Sequence, residues 1–227
     1  MKYGGAALSV QSMFFGQNFS KIAFANTLNA HTYATNNCTF SGSLRNPSII
    51  IAVVSGLAIS TLGTPTDTAL NTYVDCGAGS VLYHVSGARM QMFYALNTST
   101  TLNNKVTSLN STVVVIGEFV GAATINPIDG GSGVGYSLKA NGIIASGGAN
   151  ALTATSLTPA HSGSLIVSSF ITFTNAASAG TSPNVFTAAT TGNLEFFLQT
   201  TAAAIVATAG DIGADTFGNI TVALRAA

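Results

Sequence analysis

The chain is short of charge. Asp, Glu, Lys and Arg make up 6% of its 227 residues, where a soluble domain carries about 25%. Seven basic and seven acidic residues cancel to a formal charge of zero. The basic ones (Lys2, Lys21, Arg45, Arg89, Lys105, Lys139 and Arg225) are scattered singly. Nucleic-acid surfaces need clustered Lys and Arg, so that class of partner is excluded. Tryptophan is absent, which removes the ring that most often stacks on a sugar. There are two cysteines, Cys38 and Cys76, without a CxxC pair or a zinc-like Cys/His spacing. They read as free packed thiols, with a single disulfide as the alternative. Long apolar runs are missing too. The longest, residues 48–59 (SIIIAVVSGLAI), is too short for a membrane helix of about 20 residues and has the β-branched content of a buried strand. The opening MKYGGAALSVQSMFFGQNFSK holds no continuous apolar core, so no signal peptide is expected. The expectation is a protein made in a host cytoplasm, outside any membrane.

Scarce charge combined with 47% hydrophobic residues is not the composition of a disordered chain. It points to a surface that meets other subunits through uncharged polar contacts, because little electrostatic repulsion opposes self-association. A hydroxyl- and amide-solvated surface is the alternative.

What is present is strand and turn. Turn signals recur at Ser41-Gly42, Asn46-Pro47, Ser55-Gly56, Thr64-Pro65, Ser86-Gly87, Asp129-Gly130-Gly131, Asn141-Gly142, Ser182-Pro183 and Gly218-Asn219. Between them lie short runs of Val, Ile, Thr, Phe and Tyr, the punctuation of an antiparallel sandwich or barrel. Period-2 alternation sets Met90, Met92, Tyr94 and Leu96 on one face, then Leu165, Val167, Ile171 and Phe173, then Leu194, Phe196 and Leu198, then Ile220, Val222 and Leu224. Ser168, Thr172, Thr221 and Arg225 take the opposite, outward faces. The runs 49–54 and 113–116 are apolar on both faces and read as central strands covered twice. No repeat of 20–50 residues is visible. The expected organisation is an N-terminal arm or first strand over residues 1–30, carrying Phe14, Phe15, Phe19 and Phe24, followed by one all-β sandwich domain over 31–227.

Chemistry is represented by near misses. No serine sits in G-x-S-x-G, and His31, His84 and His161 are far apart in sequence. Glu118 and Glu195 lie on strands, as a glycosidase pair would. Glu118 shares a face with Val114 and Ile116 and is open to abnormal titration. A strand-edge glutamate paired with an Arg or capped by backbone amides is the plainer reading. Asp211, Asp215 and Asn219 crowd one turn without the D-x-D-x-D-G order of a calcium loop, and short Asp side chains suit turns for backbone reasons. The glycine-rich stretch 129–135 fits no phosphate loop. The expectation is therefore a non-enzyme, with no catalytic, cofactor-binding or metal-binding residue and no cofactor.

The order of segments, NPSIIIAVVSG, MQMFYALN, TVVVIGEFVG, SGSLIVSSFITFT and NITVALRAA, resembles the jelly-roll-like sandwich domains of tailed-phage virion proteins and some bacterial surface proteins. Glu118-Phe119-Val120-Gly121 matches a strand ending Glu-aromatic-x-Gly, and Leu224-Arg225 matches the closing strand. The likeness covers about residues 32–227. The early turn departs from the commoner D-x-x-G-N-x-Y form, since Leu70 stands before Asn71 where Gly is usual. The resemblance implies a structural role in a virion, as a capsid decoration or cement subunit. Its implied partners are its own copies, as a homotrimer, and the major capsid protein or other virion subunits. A tail-associated or carbohydrate-binding, adhesin-like domain is the alternative, with Tyr73, Tyr83, Tyr94 and Tyr136 standing in for Trp.

Overall fold

The computed structural model describes residues 23–24, 36–57, 61–130, 138–145, 152–174, 177–178, 180, 185–188, 193–211 and 215–227. The protein is all-β, and among the described residues there is no helix. The expected N-terminal arm lies outside the described residues, apart from the backbone of Ala23–Phe24.

Among the described residues seventeen strands follow one another in two series. The first is β1 (Ala23–Phe24), β2 (Asn37–Thr39), β3 (Ser48–Gly56), β4 (Thr66–Asp67), β5 (Tyr73–Asp75), β6 (Val81–Leu82), β7 (Arg89–Asn97), β8 (Lys105–Thr107) and β9 (Val113–Val120). The second is β10 (Leu138–Ala145), β11 (Leu152–Thr153), β12 (Ser164–Thr172), β13 (Ala177–Ser178), β14 (Val185–Ala188), β15 (Asn193–Gln199), β16 (Thr208–Asp211) and β17 (Thr216–Leu224).

The two series have the same topology. The first forms a large antiparallel sheet in the order β1-β9-β3-β7-β5, with β6 added to β7, and a small sheet in the order β2-β8-β4. The second forms β10-β17-β12-β15-β14 and β11-β16-β13. Apart from β6, every strand of one series has a counterpart in the other. Registers agree as well. Ser48 pairs with Asn97 as Ser164 pairs with Gln199, and Ile49 lies between Leu96 and Phe119 as Leu165 lies between Leu198 and Leu224. The chain thus folds as two equivalent units joined by the segment after β9. Their period of roughly a hundred residues is far longer than a repeat of 20–50 residues, and the matching positions share little beyond apolar character.

The two large sheets face each other. Strand β7 packs on β17 and β15 packs on β9, so each contact is repeated with the units exchanged, as a two-fold relation requires. One continuous core fills the gap: Ile49, Ile51, Val53, Met90, Met92 and Phe119 from the first unit meet Leu165, Val167, Ile171, Leu194, Ile220 and Val222 from the second. Burying each such side chain is worth about 1.5–3 kcal/mol. Phe119 meets Phe196 edge-on across the gap. Gly218 is needed there, because a Cβ would come within 2.7 Å of the Met90 sulfur and 2.9 Å of Tyr83 Cβ.

Each large sheet is also covered outside. In the first unit, Ile50, Ala52, Val54, Phe93, Val114 and Ile116 pack under Cys38, Phe40, Leu44 and Val106. In the second, Phe170 and Phe217 pack under Leu152, Ala154, Ala207 and Ala209, while Ile166 and Ala223 meet Leu157. This four-layer stack is why β3 and β9 are apolar on both faces. It also corrects one expectation: Ser168, Thr172 and Thr221 do turn away from the central core, but they are buried because a small sheet lies over them.

Candidate functional site

The scarce carboxylates lie mostly inside. Asp67, Glu118, Asp129, Glu195 and Asp215 are buried, and a buried charge needs hydrogen-bond donors to be tolerated. For four of them the donors come from loops. Glu118, on β9, accepts through Oε1 from the Arg45 amide (2.6 Å) and the Ser48 hydroxyl (2.6 Å), closing the β2–β3 loop. Asp67 accepts from the Asn71 amide (2.9 Å), the Asn71 side chain (2.8 Å), the Tyr73 hydroxyl (2.9 Å) and Asn104 (2.9 Å). Asp215 accepts from the amides of Thr174 (2.6 Å) and Thr216 (2.8 Å). The half-buried Asp75 does the same for its turn, through the Gly77 and Gly79 amides and Gln91.

Asp129 belongs to a histidine-containing cluster that sequence spacing does not reveal. Its Oδ2 accepts from the His161 amide (3.0 Å) and the Ser164 hydroxyl (2.8 Å), and its Oδ1 bonds the His161 ring at Nδ1. Burial works to raise the Asp129 carboxyl, but hydrogen bonds from His161 and Ser164 outweigh it and hold the carboxyl below its usual value. The Asp–His half of a hydrolase triad is present in outline. The serine, however, serves the carboxylate and not the imidazole. The only sequence trace is the parallel between Arg45-x-x-Ser48 and His161-x-x-Ser164.

The other expected near misses are dispersed. Glu118 and Glu195 sit in different units and do not form a pair over one bond. Asp215 clasps the end of β12, whereas Asn219 points under the outer sheet, bonded to the Ser168 hydroxyl and the Ser169 carbonyl (both 3.0 Å). The Asp211 side chain and Tyr136 lie outside the described residues, as does His31. No group of three His, Cys, Asp or Glu converges among the described residues. Tyr73 and Tyr83 are core residues bonded to Asp67 and Ser55. Burial, reinforced by Asp67, raises the Tyr73 hydroxyl far beyond its normal range. Tyr94 is half-buried. Cys38 and Cys76 are buried and are not joined by a disulfide, and burial pushes the Cys38 thiol up to about 12. His84 stacks on Phe173 at 3.6 Å, tying the β6–β7 hairpin to the second unit.

Leu70 resolves the departure noted in the early turn. It takes the left-handed φ of 61° that glycine would adopt, and the Asp67–Asn71–Tyr73 clasp keeps the turn closed.

Glu195 differs from every other acidic residue described here. It is fully buried on β15, both carboxyl oxygens lack a hydrogen-bond partner among the described residues, and burial pushes its carboxyl up to about 8.

No family model, no curated protein and no solved structure matches the chain. Its class is defined by its own architecture: an internally duplicated antiparallel β-sandwich with clasped loops. Among the described residues no helix is long and apolar enough to cross a membrane.

Proposed function

We propose that the chain is a non-enzymatic structural subunit of a virus particle, a capsid decoration or cement protein that braces neighbouring shell subunits and assembles with its own copies. The observation carrying this reading is the way the chain uses its few charges. Glu118, Asp129, Asp67 and Asp215 are turned inward to fix loops. The loops so fixed expose Leu70 and Leu102, and other turns expose Val85, Leu109 and Ile125. Rigid loops with apolar tips on a nearly uncharged surface suit contact with other proteins, since little ordering entropy is lost on docking. The resemblance to jelly-roll-like virion domains supports the same reading and supplies its link to a virus. Mass spectrometry and antibody labelling of purified particles test it: the chain is expected at a fixed copy number on the shell, and its absence from particles removes the proposal.

A further inference from the structure

The two units are each other's control. A position that one unit fills with an apolar residue does not need a polar one for the fold. On the outer face of the first large sheet, Ala52, Phe93, Val114 and Ile116 form a fully apolar patch. The registers that equate Ser48 with Ser164 place Ser168, Glu195, Asn219 and Thr221 at those same four positions in the second unit. All four are buried. The second unit has therefore exchanged an apolar patch for a cluster of oxygens under an otherwise apolar outer layer.

The protons of this cluster are accounted for. Thr221 donates to Asn219 Oδ1 (3.1 Å), which leaves the Ser168 hydroxyl to donate to Thr221 (2.8 Å). The two protons of the Asn219 amide go to the Ser168 hydroxyl oxygen and the Ser169 carbonyl. No donor in this ring remains for a further acceptor. Glu195 stands directly opposite Ser168 on the neighbouring strand, on the same face and within side-chain reach. Its two oxygens have no hydrogen-bond partner among the described residues. A buried carboxyl without a described partner thus stands on the strand beside a ring of hydroxyl and amide oxygens whose protons are all committed. Such an arrangement calls for a cation between them.

We propose that Glu195, together with the oxygens of Ser168, Thr221 and Asn219, binds one dehydrated monovalent metal cation, sodium or potassium. Hard oxygen donors suit hard cations. One carboxylate neutralises one positive charge, whereas a divalent ion would leave a net charge buried at high cost. An ion seated between oxygens also bridges groups too far apart to share a hydrogen bond. It would tie β15 to β12 and β17 beneath the outer sheet.

Thermal unfolding of the full chain tests this at pH 9, where protons compete little for Glu195. Sodium, potassium and choline chlorides are compared at equal ionic strength. Sodium or potassium is expected to raise Tm by about 5–10 °C over choline at a hundred times Kd. Glu195→Gln is expected to abolish the difference, and Thr221→Val to weaken it. Thallium(I), a potassium surrogate, should give a bound-ion signal by thallium-205 NMR that Glu195→Gln removes. Equal Tm in all three salts, with no thallium signal, would show a buried glutamate that holds no cation and overturn the proposal. A rise confined to added calcium would overturn it as well.

Discussion

Ser48 and Ser164 occupy the same place in the two units, and each clasps its loop to a buried carboxylate. The Ser48 hydroxyl lies 2.6 Å from Glu118 and 2.8 Å from the Arg45 carbonyl; the Ser164 hydroxyl lies 2.8 Å from Asp129 and 3.1 Å from the His161 carbonyl. The carboxylates come from different places. Glu118 is on β9, whereas at the matching position of β17 stands Ala223, whose carbonyl receives the Asp129 amide (2.9 Å). The clasp is kept although its acid is supplied by another segment. Hydrogen bonds to charged groups contribute about 1.5–3 kcal/mol. Ser48→Ala and Ser164→Ala are expected to destabilise by similar amounts in that range, read from urea midpoints at unchanged slope. A large inequality would break the equivalence.

Asp129 gives the clasp a pH dependence. Its carboxyl is lowered in the folded state, so its contribution is present above the ordinary carboxylate pKa and fades as pH falls through the lowered value. Denaturant unfolding between pH 6 and pH 2 should therefore show an acid limb that is shallower in Asp129→Asn. That variant should also be less stable at pH 7, because an amide replaces an anion matched to the His161 and Ser164 donors.

Leu70 holds a left-handed backbone, which for a bulky residue is strained by about 1 kcal/mol or more. Its side chain is 88% exposed and contributes little packing. Leu70→Gly is expected to leave the fold intact and to raise stability by a few tenths of a kcal/mol up to about 1, because relief of strain exceeds the added entropy of the unfolded chain. Under the proposed function the same change should weaken particle binding. Pull-down with purified shells, beside a melting curve, separates the two effects.

Gly218 sits where β17 crosses Met90 and Tyr83 of the other unit. Gly218→Ala forces those side chains to move and is expected to cost about 1–3 kcal/mol. Met90→Ala is costly by itself, but Gly218→Ala should cost less in that background than in the parent chain, and a double-mutant cycle measures the coupling.

The sandwich was legible because alternation reports one buried face. The partners of Met90, Leu165, Leu194 and Ile220 follow from period alone, and the doubly apolar β3 and β9 announced cover on both sides. The fate of Ser168 and Thr221 was not legible. Their hydroxyls look like solvent-facing residues until a second layer, built from short strands such as β11 and β16, lies over them. The Asp129–His161 contact spans 32 residues and is assembled by the sheet, so no local spacing marks it. For Glu118 the sequence left an Arg partner and a backbone cap open, and the donors that reach it are the Arg45 amide and the Ser48 hydroxyl. Glu195 reads the same way in sequence, and what separates the two is whether loop donors reach the carboxyl. The duplication left almost no trace in residue identity, because an antiparallel register asks for apolar character at a position and tolerates many ways of providing it.

The pairing of the two units is intramolecular, and that changes what dilution can do. Two separate chains meeting through the same face would come apart at low concentration. Here the joining segment holds the partners at a high effective concentration however few molecules are present. Each half was also released from having to match itself. In a true two-fold dimer every substitution appears twice, so a glutamate buried once would be buried again. Within one chain, the first unit keeps Phe93 where the second carries Glu195.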